Sequence, residues 1–461
     1  MAICVSMAQQ PGTTKTEGNP SISVKECTIN GCSTKDHKLV LDANWRWIHT
    51  EDSKNCYEGN MWDTSICADA TTCAEKCQLE AVDANDYANT YGVTSIPGGV
   101  KLSFVTGTNV GSRLFLLEDD DYKLFKLKNR EFAVEVDSST VECGMNGAMY
   151  FVEMAANGGK DLGQNAAGAA FGTGYCDAQC PHDIKFINGK ANSKDWRPHP
   201  KGLGHFGACC AEMDIWEANN MATAYTPHPC NIETPGQYMC EGIECGDNDK
   251  DERYDGLCDK DGCDINPFRN GDRSFYGKGP EFTVDSTKPM TVVTQFLTVN
   301  GKDNGDLSEI RRFYVQDGKA IESPPIKILP KEPDSITDKM CKDIQDLFGN
   351  PNDFKAKGGN KAMGDSLDRG HVATFSLWDD IDVHMMWLDS CYLTDESCSK
   401  LGVRRGMCPG GDESSPQVVR QKHPTSYVTF ANVAFGEIGT TQSVYPGKSP
   451  TTPTTPDTTS S

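Results

Sequence analysis

The stretch Cys209-Cys210-Ala211-Glu212-Met213-Asp214-Ile215-Trp216-Glu217-Ala218-Asn219 reads as a β-strand that carries chemistry. Glu212 and Asp214 alternate with apolar Met213 and Ile215, the period-2 pattern that sends successive side chains to opposite faces. Strict alternation would leave Glu217 facing the other way. One extra residue at Ile215-Trp216, a β-bulge, returns it to the face of Glu212. Outward from this stretch lie further short runs rich in Val, Phe, Tyr or Thr and bounded by Gly, Asn, Asp or Pro. They fall at Val100–Val105, Arg113–Leu117, Phe132–Val136, Ala148–Met154, Thr291–Val299 and Tyr427–Phe435. Helical patterning is confined to brief stretches such as Thr71–Glu80 and Ile336–Phe348. Many strands joined by long Gly- and Cys-bearing loops predict an all-β, two-sheet sandwich whose loops build a site on one face.

With the bulge in place, two long Glu side chains lean toward each other over a groove, with Asp214 between them. A retaining glycosidase needs that arrangement: two carboxyls ~5–5.5 Å apart, one a nucleophile and the other an acid/base. Crowded like charges push at least one pKa upward and keep a proton available for a leaving group. An acidic strand edge or a calcium loop would use the same residues, and spacing alone does not separate these readings.

Composition narrows the field. Lys+Arg 44 against Asp+Glu 66 gives a net charge of -22, which excludes a nucleic-acid partner and opposes an anionic membrane surface. No apolar run approaches the ~20 residues of a membrane helix. The 21 Cys, including adjacent Cys209 and Cys210, contain no CxxC knuckle, so they predict a disulfide framework and secretion rather than zinc. Residues 1–8, short, apolar and ending in Met7-Ala8, read as the tail of a signal peptide cleaved after Ala8. Cys4 would leave with it, and the remaining cysteines could all pair. Residues 9–445 are expected to form the catalytic domain, and 446–461 a Ser/Thr/Pro-rich linker or tail. There is no internal repeat and no Asn-x-Ser/Thr sequon with x other than Pro, so N-glycans are not expected.

The segment Glu212–Asn219 resembles the catalytic signature of glycoside hydrolase family 7, the cellobiohydrolases and endoglucanases of cellulose breakdown. Similar segments recur along the chain, from roughly Gln9 to Gly439. They include Asp42-Ala43-Asn44-Trp45-Arg46-Trp47, Gly172-Thr173-Gly174-Tyr175-Cys176-Asp177, Lys185-Phe186-Ile187-Asn188-Gly189, Thr226-Pro227-His228-Pro229-Cys230 and Ser376-Leu377-Trp378-Asp379-Asp380. The resemblance implies a concanavalin-like β-jelly-roll sandwich with long disulfide-tied loops forming a substrate tunnel. It implies Glu212 as nucleophile, Glu217 as acid/base, Asp214 as the group that holds and tunes Glu212, and His228 beside the acid/base. Of seven Trp, it makes Trp45, Trp47, Trp378 and Trp387 sugar-stacking platforms, whereas a single Trp read alone belongs in the core. Trp45 and Trp47, at i and i+2, are expected to share a strand face. Trp62, Trp196 and Trp216 are left as packing residues. Arg113, Asn146, Tyr150, Tyr175, Asp177, Gln179 and Lys185 are placed on the glucan path by the resemblance alone.

The same resemblance makes Cys240–Asp264 a product-side loop whose Arg253, Asp261 and Asp264, with Tyr392 and Arg405, grip departing cellobiose. A second exo-type loop is implied at Val403–Cys408. The loops Lys194–Gly204 and Thr106–Asn109 are shorter than in the most enclosed members, which predicts a partly open tunnel. The implied bridges are Cys27–Cys32, Cys56–Cys77, Cys67–Cys73, Cys143–Cys408, Cys176–Cys210, Cys180–Cys209, Cys230–Cys258, Cys240–Cys245 and Cys263–Cys341. Cys391 and Cys398 have no counterpart and are expected to pair with each other, while Gln78 stands where the family has a cysteine. The expected function is a secreted, monomeric cellobiohydrolase acting from reducing ends of cellulose and cello-oligosaccharides, without metal or organic cofactor. An endo-β-1,4-glucanase on the same fold and a non-catalytic lectin-like protein are the alternatives.

Overall fold

The computed structural model describes residues 9–160, 165–247, 252–392 and 396–447. The expected leader with Cys4, and the tail from Lys448 onward, lie outside the described residues. The strands that frame the molecule are β1 (Ser21–Thr28), β2 (Gly31–Leu41), β3 (Gly99–Ser103), β4 (Ser112–Glu118), β5 (Glu131–Asp137), β6 (Met145–Val152) and β7 (Glu212–Ala218). They continue with β8 (Thr223–His228), β9 (Met290–Thr298), β10 (Leu307–Gln316), β11 (Lys319–Glu322), β12 (His371–Asp379) and β13 (Tyr427–Gly436). Their hydrogen-bonded order is β8-β7-β6-β12-β4-β2-β1-β13-β5-β9-β10-β11, with β3 paired to β13. Neighbours are antiparallel except β1 and β13.

This path folds back on itself. Phe132 of β5 meets Phe151 of β6 with ring centroids 4.9 Å apart, Phe375 of β12 meets Phe430 of β13 at 5.4 Å, and Trp216 of β7 meets Tyr314 of β10 at 6.4 Å. Strands far apart along the path therefore touch face to face, which makes an all-β jelly-roll sandwich. Met149, Phe151, Leu114, Leu116, Phe375, Leu377 and Met213 fill the space between the layers with Phe132, Val134, Val292 and Phe296. Each such side chain contributes about 1.5–3 kcal/mol on burial. Alternate residues of β4, β6 and β12, namely Phe115, Leu117, Ala148, Tyr150 and Val372, face the other way. There they pack under the loop residues Tyr175, Ile184 and Ile187. The outer face of that layer is thus a floor with loops over it.

The six expected strands are β3, β4, β5, β6, β9 and β13, with ends displaced by a few residues. The helix expected at Thr71–Glu80 runs instead over Ala70–Lys76. It stops because Cys77, bonded to Cys56, begins the strand Cys77–Leu79 that pairs with Ile48–Thr50. Asp338–Phe348 is a helix, capped by Thr337 Oγ1 accepting the Met340 N–H at 3.1 Å and ended by Gly349 at φ 75°. Among the described residues ten disulfides tie the loops: the nine pairs named above and Cys391–Cys398.

Candidate active site

The carboxylates are brought together by an irregularity in β7. On its β6 side Tyr150 pairs with Asp214 and Met149 with Trp216, so Ile215 is skipped. On its β8 side Asp214 faces Thr226 and Glu217 faces Ala224, leaving Ile215 and Trp216 opposite Tyr225 alone. Ile215 and Trp216 both join the core, and the bulge returns Glu217 to the face of Glu212 and Asp214. These three are 9%, 7% and 5% exposed respectively, so each needs partners. Ala178 N–H donates to Glu212 Oε2 at 3.1 Å. Asn146 donates from Nδ2 to Glu217 Oε1 at 3.0 Å, and its Oδ1 accepts the Ala218 N–H at 3.0 Å, which fixes the amide. His228 Nε2 lies 3.0 Å from Asp214 Oδ2, and Nδ1 donates to the Asp259 carbonyl at 2.7 Å.

The adjacent cysteines explain why the loop reaches Glu212. Cys176–Cys210 and Cys180–Cys209 bracket Asp177 and Ala178 and hold them against the start of β7. Burial pushes Glu212 and Glu217 well above the usual carboxylate range, and the charge of Asp214 adds to both shifts. Burial alone would lower His228, but the hydrogen bond and charge of Asp214 outweigh it and bring the imidazole up to about 9. Asp214 thus raises all three neighbours, which favours the charged imidazole and the protonated form of the carboxyls.

Four more of the expected residues form one connected line. Arg113 donates from Nε to Asp42 Oδ2 at 2.7 Å, and its guanidinium lies 3.3 Å from the Tyr175 ring centroid and 5.3 Å from that of Trp45. Tyr150 and Tyr175 hydroxyls are 3.0 Å apart, and Tyr175 donates to Asp177 Oδ2 at 2.6 Å. Asp177 is raised by burial, and its charge adds to that of Asp214 in raising Glu212. Gln179 donates to the Lys260 carbonyl at 2.7 Å, and Lys185, lowered by burial to about 8, sits 4.3 Å from the Tyr57 ring centroid. Trp378, at the end of β12, stacks on Trp387 at 6.3 Å. Trp45 and Trp47 do not share a strand: Trp45 closes a 3-10 turn over Ala43–Trp45, and Trp47 stacks on His49 at 3.8 Å. The N-cap carboxylate of Asp42, accepting the Asn44 N–H at 2.7 Å, starts that turn. The i, i+2 rule fails there for that reason.

Residues 11–442 match the model of glycosyl hydrolase family 7. The chain belongs to that family. A family 7 cellobiohydrolase from Daphnia pulex is 48% identical, with a TM-score of 0.91 over 94% of this chain and 100% of that one. A cellobiohydrolase from Melanocarpus albomyces, solved with cellotetraose, is 40% identical with a TM-score of 0.87, covering 94% and 100% of the two chains. The Humicola insolens endocellulase EGI is 35% identical, with a TM-score of 0.78 and coverage of 94% and 100%.

Two further loop groups carry the remaining expected residues. On one side Arg253 donates from Nε and Nη2 to Asp261 Oδ1 at 2.8 and 2.6 Å. Asp264 is paired with Arg269, a residue that nothing in the sequence had singled out, and Arg405 Nη1 is 3.9 Å from it. The Arg405 guanidinium lies 5.3 Å from the Tyr392 ring centroid, its Nε has no hydrogen-bond partner among the described residues, and burial lowers it to about 10. On the other side, Lys194–Gly204 is short but fastened. Its base packs on Tyr57 and Trp62 through Trp196, and Lys201 Nζ at its tip is 2.6 Å from Asp382 Oδ2. Asp382 stands four residues past Trp378, so this strap ties the Tyr57–Trp62 cluster to the segment that follows β12. The Thr106–Asn109 loop is a tight hairpin in which these two residues pair.

Proposed function

We propose that this family 7 enzyme is a secreted, retaining cellulase that releases cellobiose from the reducing ends of cellulose chains. The observation that carries the reading is the bulge that sets Glu212 and Glu217 on one face, with Asp214 between them in the strand and His228 against Asp214. Glu217, held by Asn146, protonates the glycosidic oxygen while Glu212 attacks the anomeric carbon. The resulting glycosyl-enzyme is opened by a water that Glu217, now a carboxylate, deprotonates. Asp214 and the Ala178 N–H orient Glu212. The carboxyl pair completes this mechanism, so no cofactor is invoked.

Trp45, Trp47, Trp378 and Trp387 offer flat rings for sugar faces, and the Arg113–Tyr175–Asp177 line offers donors and acceptors for hydroxyls. The Melanocarpus relative holds cellotetraose, and a β-1,4-glucan suits this path by the same chemistry. The product-side arginines and the fastened strap favour exo action over an endoglucanase cleft. The disulfide framework fits an oxidising, extracellular compartment, and we take the molecule as a monomer of residues 9–445 with a linker beyond. Glu212→Gln and Glu217→Gln should each cost orders of magnitude in rate with the fold intact. Azide should rescue Glu217→Ala to a β-glycosyl azide, and an α-configured first product from wild type would refute retention. A high ratio of cellobiose to glucose plus cellotriose is expected, and rapid viscosity loss with little cellobiose would indicate endo action instead.

A further inference from the structure

The contact on the far side of His228 has no role in the mechanism above. The segment Cys258–Cys263 lies along β8 and is anchored at both ends, Cys258 to Cys230 and Cys263 to Cys341. Asp259 N–H donates to the Pro229 carbonyl at 2.9 Å and Cys263 N–H to that of Pro227 at 3.3 Å, on either side of His228. Asp259 Oδ1 accepts the Gly262 N–H at 2.9 Å and so closes a turn. That turn meets the imidazole twice. The Asp259 carbonyl takes the Nδ1 proton at 2.7 Å. Gly262, at φ +67°, lies so close that a Cβ there would stand 2.6 Å from His228 Cε1. The Asp259 side chain is itself buried, and its Oδ2 has no hydrogen-bond partner among the described residues. Keeping a carboxyl there is costly unless the turn needs it.

We infer that Asp259 is a positioning residue for the acid/base: by closing the turn it holds His228 with both ring nitrogens donating, and so keeps a positive charge beside Asp214 and Glu217. A carbonyl only accepts, so Nδ1 carries a proton, and Nε2, 3.0 Å from Asp214 Oδ2, is placed to carry the second. The charged groups around the ring are Asp214 and Glu217 of β7, Asp259 of the turn, and Asp264 just past it, with Arg269 and Arg405 behind Asp264. The imidazolium charge draws Glu217 down against burial. The turn also presents Asp261 to Arg253 and Tyr254, so the proposed product grip and the imidazole share one stretch of backbone. This inference rests on Glu217 being the acid/base.

The test is the pH profile of kcat/KM on a chromogenic cellobioside for wild type, Asp259→Ala and Asp259→Asn. Losing the turn frees the imidazole, weakens its charge and lets Glu217 rise. The alkaline limb of Asp259→Ala should then move up by about half a pH unit or more, with about a tenfold lower optimum. Asp259→Asn, whose amide oxygen still accepts the Gly262 N–H, should return most of the way to the wild-type profile. An unmoved profile in Asp259→Ala with only a lower Tm would overturn the inference, and so would failure of the Asn variant to restore it. Should Asp259→Ala not accumulate, nitrogen-15 histidine spectra of wild type decide, with His228 assigned by its loss in His228→Gln. A ring protonated at both nitrogens at neutral pH is expected, and a neutral ring overturns the inference. A wild type inactive on the substrate would reject the Glu217 reading itself.

Discussion

The Lys201–Asp382 contact predicts how often a chain can enter from the side. The ion pair joins residues 181 apart in sequence at 2.6 Å, with side chains 39% and 49% exposed. At that exposure solvent screens most of the Coulomb energy, and such pairs contribute about 0.2–1 kcal/mol. The closed-to-open ratio of the strap should therefore fall by no more than about fivefold when the pair is lost. Lys201→Ala and Asp382→Ala should each raise the ratio of new reducing ends left in insoluble cellulose to cellobiose released, by about 1.4- to fivefold. The double mutant should be no worse than either single. Raising salt from about 0.1 M to 1 M, which shortens the screening length from ~10 to ~3 Å, should bring wild type toward the mutants. Equal ratios for all four proteins at low salt would refute the strap as a gate, and additive effects of the two substitutions would show that the pair itself does not carry it.

Three other outcomes are expected. Asn146→Ala removes a donor from the buried Glu217 carboxylate, a bond of about 1.5–3 kcal/mol, so kcat/KM should fall about 10- to 100-fold and the alkaline limb of its pH profile should rise. Arg405→Ala should weaken inhibition by added cellobiose more than it lowers turnover of a chromogenic substrate, and equal inhibition constants would show that Arg405 does not touch product. Glu217→Gln should melt higher than wild type at pH 7. Burial raises this carboxyl in the fold, so the wild type loses stability as pH climbs past the unfolded carboxylate value of ~4.3 toward the folded one. The gain should fade below that value, and a constant gain across pH would contradict the shift.

What was legible in the residues had local signatures. β4, β5, β6 and β13 announce themselves by β-branched and aromatic runs, and the bulge at Ile215-Trp216 follows from needing both Glu side chains on one face. Trp45 and Trp47 misled because a side-chain cap at Asp42 turns the backbone before a strand can form. The helix at Ala70–Lys76 ends where a disulfide, not a propensity, takes over. Helix Gly359–Arg369 went unseen, its polar, Gly-bearing sequence being held by burial of Met363 and Leu367 against the core. Contacts across long separations left no trace in spacing. The Asp259 carbonyl on His228 and the strap tip on Asp382 are such contacts.

Cys209 and Cys210 carry a consequence for how the molecule is made. Their bridges close loops of 29 and 34 residues, and exchanging the partners would close loops of almost the same lengths. Chain entropy, which depends only on the logarithm of loop length, gives no preference between the two pairings. Geometry does, because a one-residue slip into β7 would turn Met213 toward the cleft and Glu212 toward the core. A molecule oxidised the wrong way would have the correct mass, a full set of disulfides and a compact sandwich, yet no paired carboxylates over the floor. Specific activity, rather than yield or mass, is then the measure of correct production. A host whose secretory pathway reshuffles disulfides slowly should deliver protein that is homogeneous by weight and mixed in function.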